Sequence, residues 1–158
     1  MQLDGVNPEA RALIEALALQ PHPEGGWYRE TWRASPDVPG ARATSTAILF
    51  LLPEGARSHW HRVDADEIWI HQSGGPLLLE IAGPNGEISE TRLGGDILSG
   101  DILGGDVLQA VVPAGRPQAA RPLGAWALVA CVVAPGFDFA GFELAAPNWA
   151  PGQPWQNS

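Results

Sequence analysis

The rhythm of apolar and polar positions changes once along this chain, at Pro21. Before it, Ala10, Leu13, Ile14 and Leu17 recur three and four apart, the period of a helix with one buried face. Asn7 stands where a helix start needs a side-chain cap, and Pro8 suits the first helical position. A short α-helix is therefore predicted within residues 6–20. After Pro21 the apolar residues come in short runs bounded by turn formers such as Pro53-Glu54-Gly55, Ser73-Gly74-Gly75-Pro76 and Gly83-Pro84-Asn85-Gly86. Strands are expected over 26–34, 44–52, 58–62, 67–72, 77–81, 88–92, 107–112, 118–122 and 126–133. Short strands at this spacing predict an all-β sandwich or jelly roll. The tail, residues 145–158, carries Trp149 and Trp155 among prolines and is expected to pack as irregular structure over the barrel or a partner chain.

Composition narrows the class. A chain of 158 residues with 45% hydrophobic content is the size of one domain with a real core. Its 19 glycines and 15 prolines suit many turns and little helix. The net charge of −9 argues against nucleic acid or an anionic membrane as partner, since both need a basic face. All nine basic residues are arginine, which excludes a lysine Schiff base. The single cysteine, Cys131, permits neither an internal disulfide nor a cysteine-cluster zinc site. Its place in the apolar run Trp126–Val133 predicts a buried, inert thiol. With no basic-then-apolar start and no apolar run near the roughly 20 residues of a membrane span, a cytoplasmic protein is expected. A five-residue repeat (Gly95-Asp96-Ile97-Leu98, Gly100-Asp101-Ile102-Leu103, Gly105-Asp106-Val107-Leu108) reads as a duplicated exposed turn; its period does not match calcium-binding solenoids.

The chemistry is concentrated in one place. Three of four histidines fall within Ser58-His59-Trp60-His61 and the following ten residues, ending at His71. Residues two apart on a strand share a face, so His59 and His61 are expected side by side, with Trp60 facing away. If the chain turns at Val63–Asp66 and returns, Glu67, Trp69 and His71 share a face too. Two imidazoles opposite a carboxylate across a hairpin make either a metal site or a general acid/base site. For the metal-free option, imidazole titrates near neutral pH and phenol stays protonated there. On that ground His61 (or His59) suits base work, and Tyr28, beside Glu24 and Glu30, suits acid work. Trp69 is a candidate stacking wall. Arg57, Arg62 and Arg121 could clamp a carboxylate or phosphate, or simply pair with surface acids. Asp64 and Asp66 read as turn formers.

These residues also resemble a family. Gly55-x3-His59-x-His61-x5-Glu67-x6-Gly74 is similar to the first cupin motif, and Gly105-x7-Pro113-x-Gly115-x2-Gln118 to the second. The stretches His22–Thr31, Ser45–Ala47, Ser58–Arg62, Asp66–Trp69, Val112–Gly115, Gln118–Gly124 and Ala134–Phe139 extend the likeness to the cupin-5 type over about residues 12–145. The resemblance implies a double-stranded β-helix (residues 25–144) with a small-molecule pocket, in a homodimer. It also implies a divalent transition metal (iron, manganese, nickel or zinc) on His59, His61, Glu67 and Gln118. Gln118 replaces the histidine of the second motif, and a neutral amide oxygen is a poorer ligand than imidazole. The related sugar epimerases imply a metal-free route, with a histidine backed by a carboxylate as base and a tyrosine as acid; His61, Tyr28 and Glu67 are the expected catalytic residues, and Trp69, Arg121, Glu24 and His71 the expected substrate contacts. The expected activity is that of an isomerase, an epimerase or a metal-dependent enzyme on a sugar or organic acid. A non-catalytic ligand-binding cupin is the alternative.

Overall fold

A computed structural model describes residues 3–95, 97–98 and 106–158. Helix α1 (Pro8–Ala16) starts as the sequence predicts, with the Asn7 side chain accepting the Glu9 and Ala10 N–H groups. It is shorter than the predicted span because Ala18 adopts a left-handed φ of 52°, turning the chain toward the sheet.

Eleven strands follow among the described residues: β1 (Gln20–Pro21), β2 (Trp27–Arg33), β3 (Thr46–Pro53), β4 (Ser58–Val63), β5 (Asp66–Gly74), β6 (Leu77–Ala82), β7 (Ile88–Leu93), β8 (Gln109–Val112), β9 (Gln118–Pro122), β10 (Trp126–Ala134) and β11 (Phe142–Leu144). All nine predicted strands are present. The two additions, β1 and β11, are three residues or fewer, too short to leave a periodic signal. One sheet runs β1-β2-β3-β10-β5-β8 and the other β11-β4-β9-β6-β7, with antiparallel pairing throughout. The two sheets form the jelly roll.

One expectation is corrected here. Strands β4 and β5 do not make a hairpin: β4 belongs to the second sheet and β5 to the first, so the link at Asp64-Ala65 is a corner between sheets. His61 and Glu67 therefore face each other across the barrel interior rather than along a ladder.

Apolar side chains fill the barrel: Phe50, Leu52, Trp69, Leu77, Leu79, Leu93, Val112, Ala120, Ala127 and Val129 are buried together. Outside the first sheet, α1 packs Ala10 and Ile14 on Trp27, Leu51 and Leu128. Outside the second, the tail forms a strap whose Trp149 and Trp155 cover Trp60, Ala82 and Ala119. The Gly-Asp repeat falls largely outside the described residues; at its end, Asp106 pairs with Arg92 at 3.2 Å.

Candidate functional site

A β-bulge in β4 decides which histidine faces inward. Ser58 pairs with Ala120 and His61 with Gln118, so three steps on β4 oppose two on β9. The extra residue puts Ser58 and His61 on the inner face, both buried. It also breaks the two-residue alternation that would have set His59 beside His61. His59 instead points to the strap, its Nε2 3.0 Å from the Ala146 carbonyl. Its own main-chain carbonyl lies 2.7 Å from His61 Nδ1. A carbonyl can only accept, so Nδ1 of His61 carries a proton and Nε2 is the nitrogen that titrates.

The turn His22-Pro23-Glu24-Gly25-Gly26 supplies the partner. Gly25 (φ 109°) and Gly26 (φ 75°) take conformations that favour glycine, and a Cβ on Gly25 would overlap the Arg57 carbonyl. The Glu24 carbonyl accepts the His59 N–H at 2.7 Å, pinning the turn to β4. Glu24 Oε2 then sits 2.7 Å from His61 Nε2. The contact is a close charge pairing off the N–H line, for among the described residues Oε2 and the neighbouring Ser58 hydroxyl both lack an aligned hydrogen bond. Burial pushes the Glu24 pKa up, but His61 and then His22 outweigh it, with help from Ser58, and the net shift is down. For His61, burial works downward, while Glu24, Glu67 and the His59 carbonyl raise the pKa overall. Glu24 and His61 are thus an ion pair. His22 lies beside the pair, its Nδ1 3.6 Å from Glu24 Oε1 and accepting the Glu24 N–H at 3.1 Å; burial lowers its pKa, against an upward pull from Glu24.

A second carboxyl behaves oppositely. Burial raises the Glu67 pKa to about 7, against the downward pull of His61 and of hydrogen bonds from Gln118 and Cys131, and with an upward push from Glu24. Gln118 is oriented without ambiguity. The Trp69 indole N–H donates to Gln118 Oε1 at 2.8 Å, so the amide NH2 must face Glu67, which it reaches at 2.8 Å. Cys131 is the buried thiol expected, and it also lines the cavity beside Glu67; burial, then Glu67 and Glu24, raise its pKa far.

His22, Glu24, Tyr28, Thr46, His61, Glu67 and Cys131, with Ile48, Val63, Val133, Phe137 and Phe142, enclose a cavity of about 30 Å³. That holds roughly two waters. Tyr28, Thr46, Ile48 and Phe137 also line an outer groove of about 350 Å³ reached by Gln20, Glu30, Arg33, Asp138 and Phe139. Of the residues singled out from sequence, His61, Glu67, Tyr28 and Glu24 meet at this cavity, and Gln118 stands directly behind Glu67. The others lie elsewhere. His59 faces the strap; Trp69 is sealed in the apolar core and presents no stacking face. His71 hydrogen-bonds the Gly75 carbonyl at 2.9 Å, against Gly94. Arg121 is exposed on β9. Arg57 and Arg62 pair with Glu80 and Glu143. Asp64 holds Arg42 and Asp66 accepts the Ala114 N–H, so both do more than form a turn. Sequence reasoning gave no role to His22, Ser58, Thr46, Phe137 or Phe142. The run His22-Pro-Glu-Gly-Gly, with two adjacent glycines, was the available signal for the turn.

The comparisons agree with this architecture. The family model described as Cupin superfamily (DUF985) matches residues 11–145. The chain belongs to the cupin superfamily. Among solved structures it is similar to protein SO0799 from Shewanella oneidensis, with 36% identity and a TM-score of 0.79 over 87% of this chain and 84% of that one. A hypothetical protein from Leishmania major gives 31% identity and a TM-score of 0.72 over 85% of each chain. Oxalate decarboxylase from Bacillus subtilis shares the fold at 18% identity and a TM-score of 0.58, over 78% of this cupin and 29% of that chain. No protein of curated function matches it.

The divalent metal expected on His59, His61, Glu67 and Gln118 does not fit these side chains. His59 points outward, and Gln118 turns its NH2, a donor, toward Glu67 while its oxygen is engaged by Trp69. Among the described residues no three His, Cys, Asp or Glu side chains are grouped to hold a metal ion. Nor is any described helix long and apolar enough to cross a membrane.

Proposed function

We propose that this cupin is a proton-transfer enzyme of isomerase or epimerase type, working through its own side chains on a neutral, sugar-like hydroxycarbonyl compound. The observation that carries this reading is the pair of buried carboxyls in one cavity with unlike partners: Glu24 against His61, Glu67 against Gln118 and Cys131. Such divergence assigns acid and base roles within one site. Glu67, balanced near neutral pH, takes the proton from the carbon next to the carbonyl. His61, kept cationic by Glu24, stabilises the negative charge that develops on the oxygen. Tyr28, entering from β2 at the groove side, returns a proton as the acid. Charge favours a neutral substrate over an organic acid. The two spaces are lined by Glu24, Glu67, Glu30 and Asp138 against His61 and Arg33, and Arg33 is already engaged by Glu30 at 2.8 Å. The inner cavity admits only the reacting end, leaving the rest of the molecule to the groove.

Neutral aldoses and ketoses incubated with the protein in D2O provide the test, with deuterium incorporation beside the carbonyl followed by NMR. Exchange is expected, and it should drop by about 10²–10⁴-fold in Glu67→Gln, whereas Tyr28→Phe should lower net isomerisation by about as much and spare exchange. Exchange of anionic keto acids alone would overturn the substrate class. A second reading, a cupin that holds a ligand without turnover, draws on the small inner volume; a sugar that binds with no exchange at any carbon would favour it.

A further inference from the structure

On the reverse side of β4 from His61 lies a larger space that the cavity chemistry does not use. It is a groove of about 650 Å³ between the strap and two turns, bounded by Gly83–Gly86 and Ala114–Pro117. That volume falls within the ~300–1,000 Å³ of small-molecule sites. Trp149 and Trp155, their ring centres 4.9 Å apart and packed edge to face, form an angled aromatic wall, with Trp149 largely buried behind Trp155. The Arg62 guanidinium lies 4.3 Å from the centre of the Trp155 ring, held on its other side by Glu143. Both indole N–H groups are spent within the strap, on Pro154 and Asn157, which fixes the rings. Gly86 and Gly152 meet so closely that a Cβ on Gly86 would come within 2.6 Å of the Gly152 Cα, so the strap is fastened to the turn at the groove's edge.

The charge distribution is unusual for this molecule. The chain carries −9 overall, yet the residues lining the groove include two arginines and no aspartate or glutamate. Arg62 is paired, but among the described residues the half-buried Arg116 has no side-chain hydrogen bond or ion pair. An unpaired guanidinium at a concave surface presents a planar fork of donors suited to a carboxylate or phosphate.

We infer that this groove is a second binding site, separate from the cavity, for a small molecule that joins an oxyanion to a flat ring. The oxyanion bonds to Arg116, and the ring packs against the Trp149–Trp155 wall beside Arg62. The site stands on its own observations and does not depend on the proposed proton-transfer chemistry.

Phenyl phosphate, benzoate, phenol and inorganic phosphate serve as probes, titrated into the full chain while the indole N–H signals of Trp149 and Trp155 are followed by NMR. Phenyl phosphate or benzoate is expected to shift both signals saturably, and the tighter of the two identifies the oxyanion. Phenol and inorganic phosphate should each bind at least about tenfold more weakly. Arg116→Ala, a change at a side chain with no partner among the described residues, should weaken binding by about tenfold, and Arg116→Lys should restore part of it. The inference is overturned if neither ring-bearing anion moves the signals, if phenol or inorganic phosphate binds as well, or if Arg116→Ala has no effect.

Discussion

The barrel interior has two ends built from the same strands, and they could hardly differ more. At one end Phe50, Trp69, Leu77, Leu79, Leu93, Ala120 and Val129 close on one another with at most 1% exposure. At the other, two residues further along the same strands, Trp69 gives way to Glu67, Ala120 to Gln118 and Val129 to Cys131. Strand alternation guarantees that both members of each pair point inward. Packing alone therefore cannot explain the polar end. Buried carboxyls and an imidazole cost stability unless each has a partner, and here nearly every one is supplied from a different element. Glu24 comes from a turn, His61 from a bulge and Gln118 from the second sheet. One end is optimised to fold; the other is held in place by it.

The sharpest way to break this comparison is Trp69→Ala, at the junction of the ends. It empties a fully buried site and strips Gln118 of the donor that fixes its amide. A loss of about 3–5 kcal/mol is expected by urea unfolding. A cost below about 1 kcal/mol would mean that the apolar end does not support the polar one.

Next in size is the pH response of Glu67. Its folded pKa of about 7 lies above the ordinary 4.5, so between those values the folded state binds more protons than the unfolded one. Stability must then fall as pH rises through that window, by an amount on the order of 3 kcal/mol. Glu67→Gln should remove that slope. The Glu24–His61 pair has its own signature: Glu24, lowered, contributes stability that is lost in acid, and His61, raised, contributes stability that is lost as pH climbs past its folded pKa. Chemical denaturation at several pH values, for both proteins, separates these trends. An unchanged slope in Glu67→Gln would assign it to another group.

Much of this was legible in the residues. Alternation and turn formers located every strand of four residues or more, and Asn7-Pro8 located the helix start. The cavity was only half legible, and the reason is geometric. Period-two reasoning puts His59 with His61 and carries Trp69 and His71 along with Glu67 as site residues. A bulge adds one residue without any mark in the alternation of Ser58–Val63, and depth along a strand is invisible to a pattern that records only faces. Trp69 and His71 share the face of Glu67 but lie nearer the closed end. The corner at Asp64-Ala65 was equally hidden, since two residues can turn a hairpin or change sheets. What settles it is where β9 and β10 insert, more than fifty residues later.

The smallest effect concerns the two histidines themselves. His61 is oriented by the main-chain carbonyl of His59, which any residue provides, whereas the His59 ring makes its one side-chain hydrogen bond among the described residues to Ala146 in the strap. His59→Ala should therefore cost only about 1 kcal/mol, the worth of one hydrogen bond, and loosen the strap locally. Faster amide exchange of Ala145, whose N–H bonds the Trp60 carbonyl, would report that loosening. The cavity should be indifferent, with the pH slopes of Glu67 and of the Glu24–His61 pair keeping their wild-type form. If His59→Ala instead altered those slopes, its imidazole would have to act on the barrel interior, and the division of β4 into an inward His61 and an outward His59 would fail.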